Sequence, residues 1–129
     1  MYIYKDGKLE QLTSNEAPET LPLISPDASK LAYRAPSDEG FELRSGYFWV
    51  MDLETRIKHR LDGQKTGEVF GAVTWSADST SLIYNEQHGV NTNLYEINTV
   101  NGVAKALTNK TGIHHAQAFS ADAKTVAYV

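Results

Sequence analysis

The sequence predicts an all-β chain, a partial β-propeller of four-stranded antiparallel blades amounting to about three blade-equivalents. Three observations carry this. A hairpin-turn motif recurs three times at blade-like spacing, the strand pairs between the copies match one another, and the central strands are apolar on both faces.

The repeated motif reads LPLISPDASKLAY (21–33), AVTWSADSTSLIY (72–84) and AQAFSADAKTVAY (116–128). Each copy runs from an apolar residue through Ser, Pro or Ala, and Asp to an apolar pair ending in Tyr. The aligned Ser25, Ser76 and Ser120 are spaced 51 and 44 residues apart, and periods near 40–50 are those of propeller blades. The intervening segments match too. YFWVMDLETRIKHRL (47–61) parallels NLYEINTVNGVAKAL (93–107), and YIYKDGKLEQLT (2–13) repeats the same half-unit, its Leu12-Thr13 matching Leu107-Thr108.

A full unit therefore reads as strands A to D. In the second unit strand A covers about 72–75, B about 81–85, C about 93–98 and D about 104–108. The Ser-x-Asp element is the A–B turn: Pro26 presets φ, and Ser and Asp side chains can bond nearby backbone N–H groups. Asp6-Gly7 and Asn101-Gly102 fall between C and D, where a type I′ turn needs positive φ at both central residues. On strand B, Leu82 and Tyr84 point one way and Ile83 the other. A strand apolar on both sides must be covered on both sides, and stacked blades do this. No stretch has a 3.6-residue period, so helix content is expected to be low. The organisation expected is a half blade at 1–14, a blade at 18–62, a blade at 68–108 and a half blade at 113–129. The B–C connection 34–46 of the first unit is longer than its counterpart 86–92 and reads as a solvated surface insertion.

Composition narrows the function. The net charge of −4 with scattered lysines leaves no basic footprint for a phosphate backbone, so no nucleic-acid partner is expected. The chain has no cysteine, which excludes disulfides and thiolate chemistry and fits a periplasmic, secreted or cytoplasmic setting alike. No apolar run approaches the roughly 20 residues of a membrane-spanning helix. The first residues, MYIYKDGKLE, lack the basic and apolar regions of a secretion signal and read as structure from the start.

Catalytic candidates are few. No G-x-S-x-G nucleophile elbow occurs. Ser25, Ser76 and Ser120, like Asp27, Asp78 and Asp122, occupy one repeated turn position and read as turn formers. No catalytic residue, cofactor site or cofactor is assigned. His114 and His115 are weak metal-ligand candidates just before a strand A, near the channel mouth of a propeller. Adjacent strand residues face opposite ways, so the two do not readily share one metal. His59 and His88 are placed on an outer strand and a loop, without a partner pattern. Paired carboxylates occur in loops, as at Asp38-Glu39. Trp49 and Trp75 read as packing residues. Asn109-Lys110-Thr111 matches a glycosylation sequon.

ISPDASKLAY, WSADSTSLIY and FSADAKTVAY resemble the WD40-like Ser-Pro-Asp-Gly repeat of TolB-type propellers, also used in the N-terminal propellers of prolyl-oligopeptidase-family serine peptidases. LYEINTVNGVAKALT resembles that repeat's C and D strands. The chain departs from the repeat at Ala28, Ser79 and Ala123, where Gly is usual. Keeping a left-handed backbone there costs roughly 1 kcal/mol each, and a different turn type is the alternative.

The resemblance implies a six-bladed ring and three roles: a non-catalytic, substrate-gating propeller of a prolyl-oligopeptidase-like peptidase with its catalytic triad in an α/β-hydrolase domain further along; a TolB-like protein-binding propeller of the cell envelope; or a metal-dependent sugar-acid lyase propeller. Three blade-equivalents do not close a ring comfortably. The partners expected are therefore the remaining blades or a second copy of the chain, with a C-terminal hydrolase domain or protein partners beyond them.

Overall fold

A computed structural model of the chain describes residues 1–36, 46–61 and 68–129. Most of the 34–46 insertion, with Asp38 and Glu39, lies outside the described residues. The described residues form twelve strands: β1 (Tyr2–Lys5), β2 (Lys8–Gln11), β3 (Thr20–Ile24), β4 (Lys30–Ala35), β5 (Tyr47–Asp52), β6 (Lys58–Arg60), β7 (Glu68–Trp75), β8 (Ser81–His88), β9 (Asn91–Asn98), β10 (Ala104–Ala106), β11 (Ala116–Phe119) and β12 (Val126–Tyr128). No helix occurs among them.

The strands make two four-stranded antiparallel sheets, β3-β4-β5-β6 and β7-β8-β9-β10, flanked in sequence by the two-stranded sheets β1-β2 and β11-β12. Each four-stranded sheet is a meander in which neighbours in sequence are neighbours in space, so all four strands of a blade are joined by hairpins. The registers repeat. Tyr33 faces Trp49 across β4–β5, and its equivalent Tyr84 faces Tyr95 across β8–β9.

Period-two alternation sends side chains of the central strands to two different cores. Ala32, Phe48 and Val50 of the first blade pack with Val69, Trp75, Leu82, Tyr84 and Ile97 of the second. Leu31, Tyr33, Ala35 and Met51, from the opposite face of the first blade, pack toward Met1 and Leu12. Ile83 and Leu94, from the opposite face of the second blade, pack with Ala116, Phe119, Ala123 and Val126. Four sheets thus stack face to face in chain order. Tyr84 and Phe48 meet edge-on at 5.0 Å between ring centres across the middle junction.

Two local expectations are corrected. The segment 86–92 is not a loop: β8 continues to His88, β9 begins at Asn91, and a two-residue turn joins them. Gly89 (φ 60°) supplies positive φ at the first central position alone, the pattern of a type II′ turn. Asn101-Gly102 is not a type I′ turn either. Asp6 (φ 51°) and Gly7 (φ 77°) both adopt positive φ, but at the second site only Gly102 (φ 68°) does. There Asn98 Oδ1 accepts the N–H groups of Val100 and Asn101 and holds a four-residue loop. Asp52 does the same for Glu54 and Thr55, with Arg56 (φ 63°) where the second blade has Gly102.

Candidate functional site

The stacked sheets present two edges. One carries the A–B and C–D turns, and the other carries the B–C hairpins and the linkers between blades. Each places different chemistry.

At the turn edge the three Ser-x-Asp copies have one geometry. The hydroxyls of Ser25, Ser76 and Ser120 donate to Asp27, Asp78 and Asp122 at 2.5, 2.6 and 2.6 Å. Each hydroxyl also accepts the N–H that opens strand B, from Lys30, Ser81 and Thr125. Each carboxylate accepts the N–H of the residue two further on, from Ser29, Thr80 and Lys124. The hydroxyl bond comes first, and the N–H second or third, among the contacts that hold all three carboxyls below the usual carboxylate range. These hydroxyls donate to an acid and accept from the backbone, so none is arranged as a base-activated nucleophile.

The positions where Gly is usual stay left-handed: Ala28 at φ 58°, Ser79 at 60° and Ala123 at 56°. The side chains of Ser79 and Ala123 have work at the junctions. Buried Ser79 accepts the Asp27 N–H at 3.2 Å through its hydroxyl, and its carbonyl accepts Lys30 Nζ at 3.1 Å. Ala123 packs into the core between the second blade and β11-β12. The blade-to-blade bonds continue with Trp75 Nε1 donating to the Leu23 carbonyl at 3.0 Å and His59 Nε2 lying 2.8 Å from the Thr99 carbonyl oxygen. Trp75 is therefore a packing residue with a polar tether, and His59 is a junction residue on β6.

At the hairpin edge the extension of β8 brings together a group that the sequence reading missed. Leu82, Tyr84, Glu86 and His88 share one face. Glu86 is only 2% exposed. The Tyr84 hydroxyl donates to its Oε2 at 3.1 Å, and His88 Nε2 lies 3.3 Å from its Oε1. Tyr95 stacks on Tyr84 at 6.1 Å and lies 5.6 Å from the His88 ring. Burial first, then the Glu86 charge, pushes both phenols to higher pKa. The group is a buried carboxylate between a phenol and a half-exposed imidazole, and Tyr84, Glu86, His88 and Tyr95 include no serine, threonine or cysteine. The period-two recurrence of Tyr84, Glu86 and His88 was the available signal.

His114 and His115 stand in the linker entering β11. His114 Nε2 lies 3.1 Å from the Thr111 carbonyl oxygen, and its ring meets Tyr128 edge-on at 6.2 Å. The backbone of His115 pairs with Val129 as a continuation of the β11–β12 ladder. Among the described residues no three His, Asp or Glu side chains gather closely enough to hold a metal ion. In the same linker the sequon residue Asn109 is exposed. Lys110, next to it, is pinned by its backbone N–H and carbonyl to Asn93.

A cavity of about 390 Å³ opens at the turn edge between β1-β2 and the first blade. Ile3, Ile24, Ala28 and Leu53 line it, with Lys5, Glu10 and Arg56 also on its wall. Glu10 and Arg56 form an ion pair across this junction.

No protein-family model matches the chain, and no curated protein matches it. Solved structures do. The chain is similar to TolB from Acinetobacter baumannii at 24% identity and a TM-score of 0.66, over 94% of this chain and 29% of TolB. It is similar to a serine-to-alanine mutant of puromycin hydrolase complexed with PGG at 17% identity and a TM-score of 0.65, over 84% of this chain and 17% of the hydrolase. The chain thus spans less than a third of either protein's length. With the stacked four-stranded sheets, these likenesses identify the fold of the chain as a partial β-propeller.

Proposed function

We propose that this chain is a non-catalytic segment of a larger propeller, and that the ring restricts substrate access to a separate hydrolase domain, as in prolyl-oligopeptidase-like serine peptidases. The observation that carries the reading is the use of every Ser-x-Asp pair in turn closure, together with apolar side chains left exposed on the terminal sheet β1-β2. The repeated hydroxyls and carboxylates build the edges of blades, and the outward face of β1-β2 suits stacking against a further sheet. The likeness to puromycin hydrolase supports the hydrolase setting.

The test uses the full-length protein that contains this segment. A fluorophosphonate probe labels a serine outside residues 1–129, and short peptides are cleaved faster than folded proteins. Absence of labelling with tight capture of a protein ligand supports a second reading, a TolB-like binding propeller. That reading is favoured by the likeness to TolB over 94% of the chain.

A further inference from the structure

The outer strand β6 differs from its equivalents in the neighbouring sheets. Leu12, Leu61 and Leu107 donate their N–H groups to the carbonyls of Met1, Phe48 and Leu94, which aligns β2, β6 and β10 residue by residue. Lys58 then matches Leu9 and Ala104, and Arg60 matches Gln11 and Ala106. The cationic pair belongs to one blade and is no part of the repeat. It stands out against a chain whose net charge is −4.

Both cations are laid on aromatic rings. Lys58 Nζ lies 5.8 Å from the centre of the Trp49 ring, and the guanidinium carbon of Arg60 lies 4.8 Å from that of Tyr47. Lys58 and Arg60 are exposed, and Tyr47 and Trp49 partly so. Residues two apart on a strand share a face and are spaced about 6.5–7 Å along it. The backbone of the same two residues is turned outward. Asp52 donates its N–H to the Ile57 carbonyl and Leu61 donates to the Phe48 carbonyl. Residues 57, 59 and 61 therefore bond toward β5, and residues 58 and 60 turn their backbone groups to the other edge. Among the described residues no strand pairs with that edge, and the sheet ends at β6.

Neighbouring sheets reach this strand from both sides. Glu10 of β2 pairs with Arg56, and Lys58 donates to Asn15 Oδ1 at 3.5 Å. His59 turns the other way and lies 2.8 Å from the Thr99 carbonyl oxygen of the second blade. The surface is thus set by described residues and does not depend on how the ring is completed.

We infer that β6 is a docking edge for an acidic, extended segment of a partner protein, which adds as a further antiparallel strand with acidic residues opposite Lys58 and Arg60. Main-chain bonds to residues 58 and 60 supply the pairing, and an acid-x-acid spacing selects the partner. Antiparallel residues that exchange backbone bonds stand directly opposite each other, so the two acids meet the two cations. A lysine free on an edge strand discourages pairing. Here the rings hold both cations over the sheet face, where they complement an acidic strand. The inference goes beyond the choice between a hydrolase setting and a binding propeller and holds for either.

The test uses the full-length protein that contains this segment and a fluorescent synthetic peptide of alternating threonine and glutamate. Fluorescence anisotropy should show saturable binding that weakens as salt rises. Lys58→Gln with Arg60→Gln should weaken it about three- to tenfold, and Lys58→Glu with Arg60→Glu should abolish it. Lys105→Gln, on the second blade's outer strand, should leave it unchanged. N-methylation of the glutamates should abolish binding, and N-methylation of the threonines should not.

Absence of saturable binding, binding indifferent to the glutamine pair, or equal loss on Lys105→Gln overturns the site. Loss only on methylating the threonines overturns the antiparallel pairing, and tolerance of methylation at every position overturns strand addition. A single-stranded oligonucleotide of equal charge that binds as tightly and displaces the peptide overturns the acidic segment as the partner.

Discussion

The junction between the two complete blades and the junction between β1-β2 and the first blade are built from equivalent residues, yet only the former is finished. In the middle junction Tyr84 has Glu86 as its hydrogen-bond partner and Trp75 has the Leu23 carbonyl. At the N-terminal junction the equivalent of Glu86 is Ala35. The buried Tyr33 hydroxyl and the Trp49 indole N–H have no hydrogen-bond partner among the described residues. Burial, with the Glu19 charge, pushes Tyr33 up to about 12. A buried donor without a partner costs about 1–3 kcal/mol, so the same sheet face is a sound core at one junction and a deficient one at the other. The difference teaches that a blade is stabilised by its neighbours more than by its own four strands.

Substitutions at the two junctions test this contrast. The largest expected effect is at Tyr84, fully buried in the middle junction. Tyr84→Ala should lose about 3–5 kcal/mol in denaturant unfolding, because it opens a cavity and removes a donor from buried Glu86. Tyr2→Ala, on an uncovered face, should stay within about 0.5 kcal/mol when the dilute monomer is measured. Next is Trp75→Phe, which keeps much of the ring but strands the Leu23 carbonyl. A loss of about 1–2 kcal/mol is expected in the same measurement.

Smaller effects come from the left-handed turn positions. Ala28→Gly and Ala123→Gly relieve a strained φ and should each stabilise by up to about 1 kcal/mol. Ser79→Gly relieves the same strain but loses the bond from the Asp27 N–H, worth about 0.5–1.5 kcal/mol, so its net change should be near zero or negative. Equal gains at all three positions would show that the Ser79 bond contributes nothing.

The smallest effect is the acid response. Asp27, Asp78 and Asp122 have depressed folded-state values, so the stability they add is fully present above the unfolded value near 4 and is lost as pH falls through the folded one. Thermal melts at falling pH should show the midpoint dropping only below about pH 4. Asp78→Asn should flatten that slope. All three carboxylates are fully exposed, so a modest change is expected.

What was legible in the sequence was what a residue does with its own neighbourhood. The Ser-x-Asp turns could be read because the side chains bond backbone two to five residues away, and Leu82-Ile83-Tyr84 because a strand apolar on both faces has one use. Three things were hidden. Left-handed Ser79 and Ala123 make contacts with other blades, such as the Asp27 N–H on Ser79, that no local pattern shows. The end of β8 is polar, and its buried Glu86 is met by Tyr84 and His88. Asn101-Gly102 follows Asn98, whose side chain caps a longer loop, so a local hairpin signal gave way to a stronger one three residues earlier. Among the candidate site residues, the repeated serines and aspartates were read correctly as turn formers, while the Tyr84–Glu86–His88 group needed the strand extension to be seen.

The central claim is that protection in this chain comes from sheets stacked on both sides of a strand. Hydrogen exchange followed by mass spectrometry on the monomer tests it most directly. Slow exchange is expected in β4, β5, β8 and β9, with β1-β2 and β11-β12 faster. Uniform protection across all twelve strands, or slowest exchange in the terminal sheets, would contradict it.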